Sequence, residues 1–250
     1  MFKKLISFVI LAHLVLFSTI LLAGHPQNFQ EAKKQAQIIW SANPVTIYCG
    51  CRYDNHLNVE HQSCGYDPKD CKRANKVEWG HLILASWLGR QRPCWRESLC
   101  ENKKGKKYKG RKCCEKIDAE YRKMYTDLHN LVPVIGEVNQ ARNDYRFGEF
   151  YPENREQKYN FHGCKIIINS QYRVIEPRDE VKGLIARAHL YMADTYSFKL
   201  SKNQERMFVQ WNRSFPPSDW EIEWNRNVKE IQGNDNLYIT KYAEIRSNRL

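Results

Sequence analysis

The sequence predicts an α+β fold: a mainly helical single domain with few strands, stapled by disulfide bonds. Apolar residues recur at helical spacing in four segments, whereas only short apolar runs have the character of strands. The chain contains nine cysteines in 250 residues, which is typical of an exported protein with oxidised thiols. It is long enough for one sizeable core, and no linker divides it.

The first 23 residues have the pattern of a secretory signal peptide. Lys3 and Lys4 precede an apolar run from Leu5 to Ala23, and the polar residues that follow favour cleavage after Ala23. The run is almost long enough for an uncleaved membrane anchor, which is the alternative. We therefore predict a periplasmic or secreted monomer in which residues 24–250 form the folded domain, with no stable membrane association after cleavage.

Four segments of this domain have the spacing of amphipathic helices. Asn28 with Glu31 is a capping signal for the first, and Ser201 with Gln204 is one for the fourth. A short apolar run at 164–168 predicts a strand. Apolar stripes of this kind belong to the core far more often than to a binding surface. The predicted core positions are Ala32, Ala36, Ile39 and Trp40; Ile117, Tyr121, Met124 and Leu128; Leu184, Ala188, Tyr191 and Met192; and Met207, Phe208 and Trp211.

The cysteines lie at positions 49, 51, 64, 71, 94, 100, 113, 114 and 164. Cys113 and Cys114 are adjacent, and only one residue separates Cys49 from Cys51, so each of these four is expected to find its partner elsewhere. Because nine is odd, one thiol is left free. The alternative is a structural zinc site, which the irregular spacing and the signal peptide disfavour. Its ligands would be Cys49, Cys51, Cys64 and Cys71.

The charge balance points to a polyanionic partner. Lys and Arg number 40 against 28 Asp and Glu, which gives a formal net charge of +12. From 103 to 112, seven of ten residues are basic, and Tyr108 among them offers a ring for base stacking. The alternative is a solvated flexible loop. The predicted nucleic-acid-binding lysines of this run are Lys103, Lys104, Lys106, Lys107, Lys109 and Lys112.

Three polar residues are spaced as in a ββα-metal motif. His81 ends an apolar strand, Asn130 opens a second strand, and Asn139 lies on the helix that follows. A neutral imidazole accepts a proton near pH 7, because its unperturbed pKa is about 6.5. An amide oxygen is a suitable ligand for Mg²⁺. A structural histidine and an ordinary turn asparagine are the alternatives.

These segments resemble the bacterial endonuclease I family of periplasmic or secreted non-specific nucleases, which belong to the ββα-metal (His-Me finger) superfamily. The resemblance covers nearly all of the chain after the signal peptide. Several ordered blocks carry it, and together they are more specific than one short motif. They are Tyr48-Cys49-Gly50-Cys51, Ser63-Cys64-Gly65-Tyr66, Trp79 to Trp95, His129 to Arg142, and Gln232-Gly233-Asn234 with Asn236.

The resemblance implies a role for each matched residue. His81 would be the general base, Asn130 would tie the two strands together and orient the imidazole, and Asn139 would bind Mg²⁺ or another divalent cation. Arg111 would contact the phosphate, and Arg142 would be a phosphate or structural contact. It also implies a disulfide between Cys94 and Cys114.

The chain departs from the family at positions beside the predicted base. Gly80 replaces a metal-binding Glu, and Leu84 replaces a Pro. Glu78, the nearest carboxylate on the same strand face, is two residues or roughly 6.6 Å away. The sequence therefore leaves two functions open: a Mg²⁺-dependent endonuclease acting on DNA and RNA with activity weakened at Gly80, or an exported, non-catalytic nucleic-acid-binding protein. A purely structural secreted protein would leave the matched site residues unexplained.

Overall fold

The computed structural model describes residues 24–69, 71–150 and 160–248. The predicted signal peptide, residues 1–23, lies outside the described residues. In the described part of the chain, no helix combines the length and the apolar character needed to cross a bilayer. The helices are α1 (Phe29–Trp40), α2 (Cys71–Ala74), α3 (Ala85–Arg90), α4 (Pro93–Arg96), α5 (Arg111–Ile117), α6 (Ala119–Thr126), α7 (Gly136–Arg142), α8 (Asp179–Tyr196), α9 (Lys202–Ser214), α10 (Asp219–Gln232), α11 (Leu237–Thr240) and α12 (Tyr242–Asn248).

The strands form three small sheets. β1 (Val77–His81) pairs antiparallel with β4 (Leu131–Ile135), and β2 (Cys100–Glu101) forms a hairpin with β3 (Lys107–Tyr108). In the third sheet β7 (Val174–Glu176) lies between β5 (Arg146–Phe147), its parallel neighbour, and β6 (Ile167–Asn169), its antiparallel neighbour. The mixed, mainly helical α+β class is as the sequence predicts.

Side-chain caps set the boundaries of the predicted helices. The Asn28 side chain accepts a hydrogen bond from the Glu31 amide at 3.0 Å, which starts α1 where the sequence predicts. The predicted second helix is wrong as one continuous element. Asp118 caps α6 by accepting from the Tyr121 amide, so the chain breaks there and Ile117, expected in the core, is 49% exposed at the end of α5.

One apolar core lies between the helices and the two-stranded β1–β4 sheet. Trp40, Trp211 and Trp224 are its largest fully buried side chains. Most charged groups that enter the interior are paired: Arg187 and Glu221, for example, are 2.6 Å apart and almost fully buried. Such pairing offsets the cost of removing a charge from water.

Among the described residues, four disulfides staple this core, joining Cys49 to Cys164, Cys51 to Cys64, Cys94 to Cys114, and Cys100 to Cys113. The expected Cys94–Cys114 bond is confirmed. The zinc alternative is wrong, because three of its proposed ligands are bonded as disulfides. The prediction of one free thiol falls on the ninth cysteine, Cys71, whose side chain lies outside the described residues.

Candidate active site

The antiparallel pair of β1 and β4, together with α7, builds the predicted ββα unit. In this pair, Glu78 lies opposite Val134, Gly80 opposite Val132 and His81 opposite Leu131. Alternate residues of a strand share a face, so Glu78, Gly80 and Val134 lie on the same face of the two-stranded sheet. α7 follows β4 directly and carries Asn139 back towards β1.

A hydrogen bond fixes the tautomer of His81. Its Nε2 lies 2.8 Å from the carbonyl oxygen of Tyr125. A carbonyl only accepts, so Nε2 carries the proton and Nδ1 keeps its lone pair. Within the described residues, Nδ1 makes no hydrogen bond. The imidazole therefore presents a proton acceptor.

Two aromatic rings pack against this imidazole. The ring of His81 lies 5.3 Å from that of Phe29 and 4.9 Å from that of Tyr125, centroid to centroid. The pKa of His81 is lowered to about 4, chiefly by burial and also by Arg111 and Arg142, while the hydrogen bond to Tyr125 acts in the opposite direction. His81 is consequently neutral at pH 7, as a general base must be.

Asn130 joins the end of β1 to the start of β4. Its side chain is fully buried, accepts from the Ile83 amide at 2.7 Å and donates to the Ile83 carbonyl at 3.0 Å. Its own carbonyl accepts from the Leu82 amide. This arrangement holds the chain just beyond His81. The imidazole itself is oriented by Tyr125 and makes no hydrogen bond with Asn130.

Arg142 lies in the interior, which favours the structural contact and corrects the alternative of a phosphate contact with nucleic acid. The side chain is 1% exposed and donates to the carbonyl oxygens of His81 and Leu82. The guanidinium also lies over the Phe147 ring, 4.8 Å from the centroid. Backbone carbonyls at the end of a strand need hydrogen-bond donors from outside the sheet, and Arg142 supplies these donors at the end of β1. Its role is to hold the backbone of His81.

The amide of Asn139 is held in one orientation by Glu78. Nδ2 of Asn139 donates to Oε2 of Glu78 at 2.8 Å, and the same carboxylate pairs with Arg73 at 2.6 Å. Because a carboxylate accepts and cannot donate, the amide nitrogen must face Glu78 and Oδ1 must face away from it. Oδ1 lies 3.3 Å from where a Cβ on Gly80 would stand. An uncharged oxygen thus faces position 80, where the resemblance implies a carboxylate.

This donor set fits a weakly held Mg²⁺. Mg²⁺ keeps several waters and needs few protein ligands when substrate phosphates complete its shell. Asn139 would supply one oxygen. Among the described residues, no group of three or more His, Cys, Asp or Glu side chains is placed to hold a metal. A cation here would depend on the substrate for much of its coordination.

Val134 fills the space beside Gly80. A Cβ on Gly80 would lie 2.8 Å from Cγ2 of Val134, closer than carbon atoms normally approach. Gly80 does not have a positive φ, so the backbone does not require glycine there. The steric constraint comes from the valine on the paired strand.

An open cavity of about 550 Å³ brings the predicted chemical groups together. His81, Gly80, Asn139 and Arg111 all line it. Arg111 is the first residue of α5 and lies over the Tyr125 ring, 5.6 Å from the centroid. Two disulfides, Cys94–Cys114 and Cys100–Cys113, fasten this short helix. The cavity is also lined by residues that the sequence did not single out, among them Phe29, Tyr125 and Asp144.

The six predicted nucleic-acid-binding lysines lie outside this cavity. Lys103, Lys104, Lys106 and Lys107 are exposed on the β2–β3 hairpin. Lys109 donates to the Arg96 carbonyl at 3.0 Å, and Lys112 is exposed on α5. The β2–β3 hairpin is followed directly by Arg111, so its lysines are close in sequence to a residue that lines the cavity.

Known proteins resemble this chain over nearly its whole length. The family model for Endonuclease I matches residues 17–243. An extracellular deoxyribonuclease of Aeromonas hydrophila is 37% identical over 98% of this chain and 100% of its own length. A periplasmic deoxyribonuclease of the same organism is 37% identical over 92% of both chains, and Endonuclease-1 of Buchnera aphidicola subsp. Baizongia pistaciae is 37% identical over 94% of both. The chain belongs to the Endonuclease I family.

Proposed function

We propose that this chain is an exported endonuclease that hydrolyses phosphodiester bonds of DNA and RNA with the help of Mg²⁺ or another divalent cation. One observation carries the proposal: His81, whose Nδ1 keeps its lone pair, lines the same cavity as Arg111 and Asn139. Relatives named extracellular and periplasmic deoxyribonucleases support DNA as a substrate. Their names, the signal-peptide pattern and the four disulfides support export.

His81 removes the proton from the attacking water through Nδ1. The imidazole is neutral, and its Nε2–H is held by the Tyr125 carbonyl, so the ring accepts the proton without turning. Arg111 binds the non-bridging oxygens of the phosphate through its planar fork. Asn139 would hold the divalent cation, which would supply positive charge to the phosphate and to the leaving 3′ oxygen.

RNA is included because none of these contacts depends on the sugar. The nucleophile is water, and the partners of Arg111 and Asn139 are phosphate oxygens that both nucleic acids carry. The net charge of +12 favours binding of either polyanion.

The second candidate is an exported nucleic-acid-binding protein without catalytic activity. Gly80 favours it, because the position offers no carboxylate and Val134 occupies the adjoining space. We prefer the enzyme, since His81, Arg111 and Asn139 are all present and line one cavity.

Cleavage of labelled oligonucleotides tests the proposal. We expect duplex DNA, single-stranded DNA and RNA all to be cut in Mg²⁺, to leave 5′-phosphate ends, and to resist cleavage in EDTA. Asn139→Ala should raise the Mg²⁺ requirement or abolish cleavage. Tight binding of all three substrates with no cleavage at any Mg²⁺ concentration would support the non-catalytic alternative. Cutting that survives EDTA would contradict the metal assignment.

A further inference from the structure

A second groove adjoins the candidate active site. It has a volume of about 490 Å³ and lies along α1. Phe29 and Trp79 line both this groove and the catalytic cavity, so the two depressions meet at these rings. Its other walls include Lys33, Lys34 and Gln30 of α1. A nucleic-acid strand that leaves the catalytic cavity across Phe29 and Trp79 would enter this groove.

The groove carries uncompensated positive charge. In the described parts of the chain, neither Lys33 nor Lys34 has a carboxylate within salt-bridge distance. The acidic residue of the wall, Glu78, is paired with Arg73 at 2.6 Å. Lys34 and Gln30 are exposed. Two ammonium groups therefore line the groove with no anion among the described residues to neutralise them, which suits a polyanion.

Lys33 lies close to the predicted base. Its Nζ stands 5.4 Å from the Phe29 ring centroid, and that centroid lies 5.3 Å from the centre of the His81 ring. The distance from Nζ of Lys33 to the centre of the His81 ring therefore cannot exceed the sum of these two distances. A duplex strand advances about 3.4 Å along its axis per phosphate, so Lys33 lies within about three phosphates of the bond being cut.

Two cations flank the cluster of rings that holds His81. Arg111 lies over Tyr125, and Lys33 lies over Phe29. These two rings stack on each other with centroids 4.9 Å apart. A backbone bound by Arg111 can therefore continue across the ring cluster to a second cation.

We propose that this α1 groove binds the substrate strand next to the scissile phosphate, with Lys33 and Lys34 each contacting a backbone phosphate and with Phe29 and the edge of Trp79 supporting the nucleotide between. The proposal rests on the proposed function, because His81 must act on a phosphodiester for the strand to lie here. The contacts of Lys33 and Lys34 would be additional to those of the lysine-rich β2–β3 hairpin, which is far from them in the sequence. Backbone contacts of this kind position a strand without reading its sequence.

The test is the salt dependence of binding in EDTA, where no metal-dependent cleavage occurs. The variant is Lys33→Gln with Lys34→Gln, and glutamine keeps the helix propensity of α1. The matched control is Lys202→Gln with Lys241→Gln, which removes the same charge from exposed positions outside both depressions. Each protein is titrated with a fluorescent DNA duplex over a range of salt concentrations, and its melting temperature is checked.

We expect the α1 variant to bind more weakly and to have a flatter plot of log K against log salt. Each lost phosphate contact removes about 0.9 from the slope, so two contacts remove about 1.8. The control pair should keep the wild-type slope. A slope equal to that of wild type, or a loss no larger than that of the control, would overturn this inference and leave the proposed function standing. A wild-type protein that binds no nucleic acid would overturn both.

Discussion

Glu78 and Asn139 form a hydrogen bond of 2.8 Å between Oε2 and Nδ2. Their contact joins β1 to α7 and decides which atom of the amide faces the cavity. Arg73 holds the carboxylate from its other side, with donor–acceptor distances of 2.6 and 2.7 Å from its terminal nitrogen. The predicted metal ligand is thus oriented by a residue that does not itself reach the cavity wall.

Replacing Glu78 by Ala should weaken divalent-cation binding. Without the carboxylate the amide of Asn139 is free to turn, and loss of a residue that orients a ligand typically costs about 10–100-fold in metal affinity. Titration with Mn²⁺, followed by electron paramagnetic resonance, measures this without relying on cleavage. Glu60→Ala is the control, since Glu60 forms an exposed ion pair with Arg52. Equal Mn²⁺ affinity in the Glu78 variant would remove Glu78 from the site.

Introducing a carboxylate at position 80 should succeed only when space is made for it. Gly80→Glu alone brings the new Cβ to 2.8 Å from Cγ2 of Val134, and we expect a lower melting temperature and no gain in activity. Adding Val134→Ala relieves the contact. The double variant should then need at least about 10-fold less Mg²⁺ for half-maximal cleavage, because a charged oxygen joins the metal's shell.

Activity against Mg²⁺ concentration, with melting temperature measured in parallel, checks this prediction. Val134→Ala alone is the matched control for the cavity it creates. A well-folded double variant with the Mg²⁺ requirement of wild type would show that position 80 does not limit the site.

The pH dependence of cleavage should show a base with a strongly lowered pKa. Burial and the neighbouring arginines lower the pKa of His81 to about 4. The neutral imidazole is the active form, so the rate should hold as the pH falls from 7 to 5 and drop as it passes through about 4. Initial rates at saturating Mg²⁺ measure the profile, and circular dichroism at each pH separates it from unfolding. A midpoint near 6.5 in a folded protein would mean that the imidazole is solvated.

The part of the site that could be predicted from the sequence is local. His81 ends β1, Asn130 immediately precedes β4 and Asn139 lies on α7, so residue type, spacing and the family resemblance could nominate them as candidates. Tyr125, whose carbonyl fixes the tautomer of His81, is 44 residues away from it along the chain. Nothing in the spacing of α6 indicates which carbonyl it offers to β1, because that contact depends on tertiary packing.

Burial of polar residues was the least predictable feature. An arginine is a residue type that often contacts phosphate, yet Arg142 donates hydrogen bonds to the carbonyl oxygens of His81 and Leu82. Strand spacing places Glu78 roughly 6.6 Å from position 80. It does not reveal that α7 brings the Asn139 amide to the Glu78 carboxylate. Charge and spacing can identify candidates, whereas their hydrogen-bond partners come from elements that the sequence does not place.

Lysines of the β2–β3 hairpin should contribute to nucleic-acid affinity through charge alone. Replacing Lys103, Lys104, Lys106 and Lys107 by Ser should flatten the salt dependence of DNA binding by about 0.9 for each phosphate that they contact. The control replaces Lys165, Lys199, Lys202 and Lys241, four other exposed lysines. Fluorescence anisotropy over a range of salt concentrations gives both slopes. Identical slopes for the two variants would mean that the hairpin does not touch the phosphates.

The most direct test of the central claim is nicking of supercoiled plasmid by the oxidised protein and by His81→Ala, each with Mg²⁺ and with EDTA. The account predicts nicking by wild type in Mg²⁺ alone and a loss of about 10²–10⁴-fold in rate for His81→Ala, since that variant lacks the proton acceptor. His56→Ala, which removes an exposed histidine, should cut as wild type does. Nicking by His81→Ala at the wild-type rate, or no nicking by wild type at any Mg²⁺ concentration, would contradict the assignment of this cavity as a hydrolytic site.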